Sequence, residues 1–380
     1  MRVDADDFAR PCSCGREHHI DVKEIVIESG AIGKLEEEMS DGDLREYISP
    51  LLICDTNSYK ATEELMEDIY DRCQVLILDA EGLEADDRAV EIVENYMEED
   101  IDLVLAVGAG TIHDLSRFVA HQYRIPFVSV PTAASSDGFT STVADMTWNG
   151  VKKTVAASAP LFVFADTDIF AKAPKRLTAA GVSDILGKYI ALADWKIASI
   201  LSEEYYCAEV VNLETRAVRT VKDNLKEIAA GEEEACEKLM YALVLSGLAM
   251  QMTGSSRPAS GAEHHLVHLW DMEVVNGHLD ALHGEKVSGG TMLVLLEYKK
   301  IADAIRRGTC KVHTCTEEDR ELLQSTFGKK GILGAIEKEN TPELLDDVST
   351  KELSDTLPGI LKIIDALPAV TDMQEMMNTA

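Results

Sequence analysis

The chain has 380 residues, of which 46% are hydrophobic, and its formal net charge is −32. This length allows two domains with a large core, and the negative charge argues against nucleic acids or anionic membrane surfaces as partners. No apolar run is long enough to cross a membrane and no signal peptide is recognisable, so we expect a cytoplasmic protein.

The eight cysteines are too sparse for a disulfide scaffold in a chain of this size. Cys12 and Cys14 precede His18 and His19, and these four residues could together bind zinc. Their spacing is not that of a standard zinc finger, and no second half of such a site follows nearby. We therefore expect reduced, structural cysteines, with a separate zinc site as the alternative.

Short apolar runs alternate with helical patterns in the first part of the chain. We predict strands at 22–27, 51–54, 75–78, 103–107, 127–130 and 161–165, and helices at 60–72 and 86–97. This alternation is typical of a parallel sheet with helices on both faces. Two further β-prone runs, 142–147 and 151–155, flank Trp148-Asn149-Gly150 and predict a hairpin with a tight turn.

From about Pro174 helical patterns follow one another and strand signals nearly vanish. Helices are predicted at 180–201, 203–230, 233–253, 262–270 and 286–306. The predicted fold class is α/β, with a Rossmann-like parallel-sheet domain at 1–173 followed by an all-helical domain at 174–380. Ligands of such sheets bind beyond the carboxyl ends of the strands.

Three strand ends carry residues suited to a nucleotide. The sequence Gly108-Ala-Gly-Thr-Ile-His-Asp114 follows a strand and opens a helix, where backbone N–H groups favour a phosphate. It lacks the third glycine of the dinucleotide fingerprint, and a plain strand-to-helix turn is the alternative. Thr132 to Ser135 form a small polar loop at the next strand end, and Asp55 could hold ribose hydroxyls or cap a helix.

Histidines are concentrated between residues 260 and 288, and an aspartate within an apolar helical pattern precedes them in the sequence. The five in this stretch are His264, His265, His268, His278 and His283. Residues four apart, such as His264 and His268, share one helix face, and imidazole is the commonest transition-metal ligand. Asp184 lies in an apolar helix and needs a partner, either Lys188 or a metal; Asp194 is an equivalent acid. Two imidazoles and one carboxylate would make a three-ligand site with an open position.

Five motifs between Asp55 and about Gly290 occur in a specific order: GAGTIHD, PTAASSDG, AGVSDILGK, SGAEH and HGEKV. In this combination the chain resembles the iron-containing alcohol dehydrogenase and dehydroquinate synthase-like superfamily. Within it the chain most resembles the sn-glycerol-1-phosphate dehydrogenases. The resemblance implies a dehydroquinate synthase-like fold, with the active site in the cleft between a Rossmann-like domain and a helical domain.

The resemblance also implies roles for individual residues. Asp184, His264 and His283 would ligate one divalent ion, which could be Ni, Zn or Fe. Asp137 and His268 would be catalytic and would contact the substrate, as would Asp184. The residues implied for NAD(H), or possibly NADP(H), are Asp55, Gly110, Thr111, Ile112, His113, Asp114, Thr132, Ala133, Ala134, Ser135 and Ser141.

The implied reaction is metal-dependent reduction of dihydroxyacetone phosphate to sn-glycerol 1-phosphate, in a protein expected to form a homo-oligomer. The metal would polarise the ketone, Asp137 would orient a substrate hydroxyl, and His268 or a water would relay a proton. Lys152, Lys153 and Arg257 are the candidates for holding the phosphate. The alternatives are a glycerol or polyol dehydrogenase, a dehydroquinate synthase-like lyase, and a non-catalytic relative.

Overall fold

The computed structural model describes residues 2–4, 8, 11–310, 317–339 and 350–380. The strands are β1 (Arg2–Asp4), β2 (Glu24–Glu28), β3 (Pro50–Asp55), β4 (Gln74–Leu78), β5 (Leu103–Gly108), β6 (Phe127–Pro131), β7 (Val143–Trp148), β8 (Val151–Ala156) and β9 (Phe162–Asp166). The helices of the first half are α1 (Ala31–Ser40), α2 (Thr56–Thr62), α3 (Glu67–Tyr70), α4 (Asp87–Glu94), α5 (Gly110–Tyr123) and α6 (Thr167–Phe170). Those of the second half are α7 (Lys175–Leu201), α8 (Ala208–Asp223), α9 (Leu225–Ala230), α10 (Glu233–Thr253), α11 (Ala262–Asp271), α12 (His283–Arg306), α13 (Glu317–Phe327), α14 (Leu333–Glu339), α15 (Thr350–Ile364) and α16 (Val370–Thr379).

A seven-stranded sheet in the order β1-β2-β9-β6-β5-β3-β4 forms the centre of the first half. All of its pairings are parallel except that of β1 with β2, and β1 was not predicted. The inner strands β5, β6 and β9 are buried throughout, which explains why they read as continuous apolar runs. Adjacent residues of β3 face opposite sides, so that Ile53 packs with α4 and α5 while Leu52 packs with α1 and α3.

The predicted hairpin is confirmed as the antiparallel pair of β7 and β8. Its two turn residues, Asn149 and Gly150, have φ values of 50° and 77°. Positive φ at both central residues is what a primed two-residue turn requires, and Asn-Gly adopts it at low cost. The hairpin lies over α5 and also contacts α11, so it joins the sheet to the helical half.

Long helices make up the second half, and the predicted α/β class with a helical C-terminal region is confirmed. Their apolar faces, together with β2 and β9, enclose a core that contains the fully buried Trp195. The last strand ends at Asp166 and α7 begins at Lys175, while the boundary between 173 and 174 stays a prediction. No helix in the described ranges combines the length and the hydrophobicity that a membrane crossing needs.

Two predicted helices differ from those of the structure. The helix expected at 60–72 is divided into α2 and α3, because the chain turns between them to bury Met66. The helix expected at 203–230 begins only at Ala208, after Glu203 adopts a left-handed φ of 54°, and it is interrupted at Asn224. The N-terminal segment around Cys12 and Cys14 packs against the core that the helical half shares with β2 and β9.

Candidate active site

A cleft of about 440 Å³ separates the carboxyl ends of the strands from the helical half. The N-terminus of α5 forms one wall, and the start of α12 with part of α11 forms the opposite wall. The hairpin contributes to the floor through Asp145 and Lys152. Residues that line the cleft include Gly110, Thr111, Asp114, Asp137, His264 and His283.

Asp184, His264 and His283 converge at this cleft from three different helices. One ligand atom from each lies within 4.8 Å of the others. The two Nε2 atoms of the histidines are 3.3 Å apart, and Nε2 of His264 is 3.8 Å from Oδ1 of Asp184. Two nitrogens bound to one ion at about 2.1 Å with tetrahedral angles lie roughly 3.4 Å apart. The three side chains therefore fit a single divalent metal.

Glu263 orients the first of these histidines. Its Oε1 is 2.7 Å from Nδ1 of His264 and also accepts a hydrogen bond from the backbone N–H of Gly261. A proton on Nδ1 leaves the lone pair of Nε2 directed at the metal position, as in many carboxylate–histidine–metal sites. Burial lowers the pKa of His283, which favours the neutral form that binds metal. Glu263 was missed in the sequence, where its position next to His264 was the only signal.

A buried ammonium group connects the metal position to Asp137. Lys188 Nζ donates to Oδ1 of Asp184 over 2.7 Å and lies 2.8 Å from Oδ2 of Asp137. Burial alone would raise the pKa of Asp184, but Lys188 lowers it to about 2, so this ligand is an anion. Ser246 Oγ lies 2.8 Å from Oδ2 of Asp137 and 2.9 Å from Oε1 of Glu214. Burial raises the pKa of Glu214 to about 8, which leaves that carboxyl largely protonated near neutral pH.

The choice between Asp184 and Asp194 is resolved by their partners. Oδ2 of Asp194 accepts a hydrogen bond of 2.6 Å from the backbone N–H of Ala262, and Oδ1 accepts one from Tyr298. Asp194 therefore fixes the start of α11. Only Asp184 belongs to the group with His264 and His283.

Asp137 and His268 occupy different parts of the site. Asp137 is buried at the cleft wall beside the metal group, with its backbone N–H donating to Oδ2 of Asp184 over 3.0 Å. His268 lies one helical turn beyond His264, and its Nε2 is 3.3 Å from Oδ2 of Asp145, which lines the cleft. The catalytic roles of Asp137 and His268 stay predictions.

Of the residues expected to bind the cofactor, some line the cleft and others do not. Helix α5 begins with no side-chain cap, which leaves its first N–H groups available to an anion. A Cβ at Gly110 would lie only 2.8 Å from Oγ of Ser136, so a larger residue there would make the Ser136 side chain move. The expected cofactor residues that line the cleft are Gly110, Thr111, Asp114 and Ser141.

Two expected cofactor residues, Ile112 and His113, have side chains in the core. His113 is 2.9 Å from the carbonyl oxygen of Ala109 through Nδ1 and 2.8 Å from Oγ of Ser129 through Nε2. The loop of Thr132, Ala133, Ala134 and Ser135 is also buried, beneath the cleft. Contacts from these residues to a cofactor stay predictions and would use backbone groups.

Asp55 forms the cap that was the alternative to a ribose contact. Its Oδ1 accepts hydrogen bonds of 2.8 Å from the backbone N–H groups of Asn57 and Ser58. The neighbouring Thr56 accepts one from the backbone N–H of Ala80, which lines the cleft. Asp55 is thus a helix cap close to the cleft, and the described bonds to its side chain use Oδ1.

The cations of the cleft differ from those expected. Arg257 does not line the cleft and forms a two-pronged ion pair with Glu204, at 2.7 and 2.9 Å, so its phosphate role is not supported. Lys152 lines the cleft as expected, and Lys286, which the sequence analysis missed, lines it too. Both reach Asp271, at 3.8 and 2.6 Å respectively. Lys286 is three residues, nearly one helical turn, after His283. This spacing was the only indication in the sequence that Lys286 would lie near the site.

Known proteins resemble this chain over most of its length. Residues 26–174 match the family model described as "Iron-containing alcohol dehydrogenase". "Glycerol-1-phosphate dehydrogenase [NAD(P)+]" of Geobacillus thermodenitrificans is 38% identical over 351 residues, covering 87% of this chain and 86% of the relative. The protein of that name from Bacillus velezensis is 35% identical over 370 residues, covering 94% and 92%.

The chain belongs to the glycerol-1-phosphate dehydrogenase family. This confirms the resemblance carried by the five motifs. Solved structures show the same fold: glycerol dehydrogenase from Schizosaccharomyces pombe has a TM-score of 0.60 at 20% identity, covering 93% of this chain and 91% of that one. An iron-containing alcohol dehydrogenase from Thermotoga maritima has a TM-score of 0.59 at 19% identity, covering 96% and 98%.

Gly284 should be essential for the position of His283 in this family member. A Cβ at Gly284 would lie 1.9 Å from the backbone oxygen of Ala180, so alanine must push the start of α12 away from α7. We expect Gly284→Ala to lower the unfolding free energy by about 1–3 kcal/mol and to reduce metal content, measured by thermal unfolding and elemental analysis. Gly289→Ala on the same helix is the control, because its Cβ would meet Trp270 at an ordinary 3.4 Å. Normal metal binding by Gly284→Ala would contradict this role.

Proposed function

We propose that the protein catalyses NAD(P)H-linked reduction of dihydroxyacetone phosphate to sn-glycerol 1-phosphate, and the reverse oxidation. The observation that carries this proposal is the convergence of Asp184, His264 and His283 at the cleft, opposite the N-terminus of α5. The relatives from Geobacillus thermodenitrificans and Bacillus velezensis are named for this activity and this cofactor class, which supports the proposal.

The donor set of the cleft suits a divalent cation of the zinc, nickel or iron class. A metal held by Asp184, His264 and His283 would supply a Lewis acid for the ketone oxygen, and a bound nicotinamide would supply the hydride. The protein holds its ligands in place through Glu263 on one side and Lys188 on the other. Lys188 also holds Asp137, which we assign to orienting a hydroxyl of the substrate.

The proton that neutralises the new alkoxide must come from a group or water at the cleft. We assign this relay to His268, whose Nε2 is 3.3 Å from the carboxylate of Asp145. An imidazole can take up or release a proton at a ring nitrogen, as such a relay requires. The uncapped N-terminus of α5 is assigned to the pyrophosphate of the dinucleotide.

Asp55 should set the preference for NADH over NADPH, because its carboxylate would accept ribose hydroxyls and repel a 2′-phosphate. We expect Asp55→Asn to lower the ratio of kcat/KM for NADH to kcat/KM for NADPH. The asparagine retains an oxygen for the N–H groups of Asn57 and Ser58, so the helix cap survives. Asp55→Ala should lower this ratio too. Because alanine cannot cap the helix, this variant should also have an unfolding free energy about 1 kcal/mol lower than that of the wild type. An unchanged ratio in both variants would remove Asp55 from the cofactor site.

Lys286 and Lys152 should hold the substrate phosphate in a protein whose overall charge repels anions. Burial opposes the charged form of Lys152, but the carboxylates of Asp145 and Asp271 raise its pKa above the ordinary value. We expect Lys286→Ala to raise KM for dihydroxyacetone phosphate by roughly 10- to 100-fold, as loss of one charge-assisted contact predicts. The KM for NADH should stay near the wild-type value.

Lys153→Ala is the matched control for this experiment. Lys153 follows Lys152 on β8 and therefore points to the other face of the hairpin. Its replacement removes the same charge from the protein without removing a lysine that lines the cleft. An equal rise in KM in both variants would show a general effect of net charge instead of a phosphate site.

The proposed reaction is tested by following NADH oxidation with dihydroxyacetone phosphate and then determining the configuration of the product. We expect a glycerol phosphate that a dehydrogenase specific for sn-glycerol 3-phosphate does not oxidise. A product that this enzyme oxidises fully would contradict the proposed stereochemistry. Oxidation of NADH with unphosphorylated dihydroxyacetone alone would replace the proposal with a polyol dehydrogenase.

A further inference from the structure

A second group of metal-binding side chains lies outside the cleft. Cys12, Cys14, His18 and Cys207 place one ligand atom each within 4.8 Å of one another. The Sγ atoms of Cys12 and Cys207 are 3.6 Å apart. Nε2 of His18 is 3.6 Å from Sγ of Cys14 and 3.5 Å from Sγ of Cys207. None of the four lines the active-site cleft.

These distances are those of a tetrahedral coordination shell. With Zn–S bonds of about 2.3 Å and a Zn–N bond of about 2.05 Å, tetrahedral angles place two sulfurs roughly 3.8 Å apart and a sulfur and a nitrogen roughly 3.6 Å apart. The separations of 3.6, 3.6 and 3.5 Å agree with both values to within about 0.2 Å. A disulfide would instead bring Sγ atoms to about 2.05 Å.

The local backbone is shaped to present the N-terminal ligands together. The segment turns after Cys12, where the backbone N–H of Gly15 donates to the carbonyl of Cys12 over 3.1 Å and Gly15 has a φ of 83°. A bridge between Pro11 and Glu17 closes this turn, so that Cys12 and Cys14 lie beside His18. A positive φ of this kind favours glycine.

The other half of the shell is equally well placed. Nδ1 of His18 is 2.6 Å from the carbonyl oxygen of Met252, which fixes the ring with Nε2 toward the three sulfurs. Cys207 is the N-cap residue of α8, and this position holds its Sγ beside the N-terminal segment. His18 and Cys207 are both almost completely buried, at 2% and 0% exposure, so the group is shielded from solvent on that side.

We propose that Cys12, Cys14, His18 and Cys207 bind a structural zinc ion. Four protein ligands leave no open position for water or substrate, which is the arrangement of structural rather than catalytic zinc. The ion fastens the N-terminal segment to the connection between α7 and α8. Because Met252 belongs to α10 and Met250 of that helix lines the cleft, the same ion supports one side of the active site.

The zinc content of the holoenzyme, purified without chelator from zinc-supplemented cells, tests this proposal. X-ray absorption at the zinc edge should show sulfur ligands at about 2.3 Å in the wild-type protein. Cys207→Ser should lose one equivalent of zinc per chain and the greater part of this sulfur signal. His264→Ala should keep the signal, which separates this site from the proposed active-site metal. Cys73→Ser, a cysteine far from the cluster in the sheet half, is the matched control and should keep all of its zinc.

The spectroscopy on wild-type protein decides the matter even where Cys207→Ser does not fold. Zinc with only nitrogen and oxygen ligands would overturn the proposal. So would recovery of Cys12 and Cys207 joined as a disulfide in protein purified under reducing conditions. A thiol-specific mercurial should release one equivalent of zinc from the native holoenzyme, and release of none would also count against the site.

Discussion

His264→Ala should remove the active-site metal and lower kcat/KM for dihydroxyacetone phosphate by about 1,000-fold or more. Nε2 of His264 is 3.3 Å from its counterpart in His283 and is directed by Glu263, so alanine deletes a ligand held in place on both sides. Loss of roughly 4 kcal/mol of transition-state stabilisation corresponds to a factor of about 1,000 in rate. Steady-state kinetics and elemental analysis of the same preparation measure the two effects together.

His265→Ala is the control for this variant. His265 is the next residue on α11 and is exposed, outside the group formed by Asp184, His264 and His283. We expect its metal content and kcat/KM to remain close to those of the wild type. If His264→Ala were free of metal and yet fully active, the metal would have no part in the reaction.

Lys188→Met should be the most destabilising single substitution among those considered. The Lys188 side chain is completely buried and balances the carboxylates of Asp184 and Asp137. Breaking a buried ion pair by removing one partner costs about 3–5 kcal/mol, because the remaining charges stay in a poorly solvated place. Thermal and denaturant unfolding measure this loss. Lys175→Met, at the exposed start of the same helix, should change stability by only about 0.5 kcal/mol.

The pH dependence of Lys188→Met has a definite sign. Burial already raises the pKa of Glu214 to about 8 in the presence of Lys188. Removing the ammonium raises the pKa of Glu214 further and also raises that of Asp184, which Lys188 lowers in the wild type. The folded variant then binds more protons than the unfolded chain between about pH 5 and 8, so its unfolding free energy falls as pH rises. The difference in unfolding free energy between wild type and Lys188→Met should therefore be smaller at pH 5 than at pH 8. A deficit independent of pH would mean that lost packing, not charge, causes the instability.

The sheet and the order of its helices could be predicted because periodicity and turn residues are local signals. Asn149-Gly150 specified the hairpin through its own φ values, and the buried strands were visible as apolar runs. The edge strand β1 was not predicted because its three residues, Arg2–Asp4, carry no apolar pattern. The break between α2 and α3 was not predicted because it depends on the burial of Met66 in a tertiary core.

The site was predictable where residues carry recognisable chemistry and was not where partners are distant in sequence. The histidines and Asp184 could be proposed from the sequence, but choosing Asp184 over Asp194 required seeing that Ala262 and Tyr298 donate hydrogen bonds to Asp194. Cys207 could not be assigned to Cys12 and Cys14, because 195 residues separate it from Cys12. Arg257 had the right chemistry for a phosphate, and only the structure showed that Glu204 already engages it.

The ratio of kcat/KM for dihydroxyacetone phosphate to that for dihydroxyacetone, measured on one metal-loaded preparation with NADH, tests the central claim most directly. The cleft places Lys152 and Lys286 within reach of a phosphate, beside the proposed metal position. We predict a ratio well above 1, which falls sharply in Lys286→Ala and is unchanged in Lys153→Ala. A wild-type protein that prefers the unphosphorylated ketone would contradict the account.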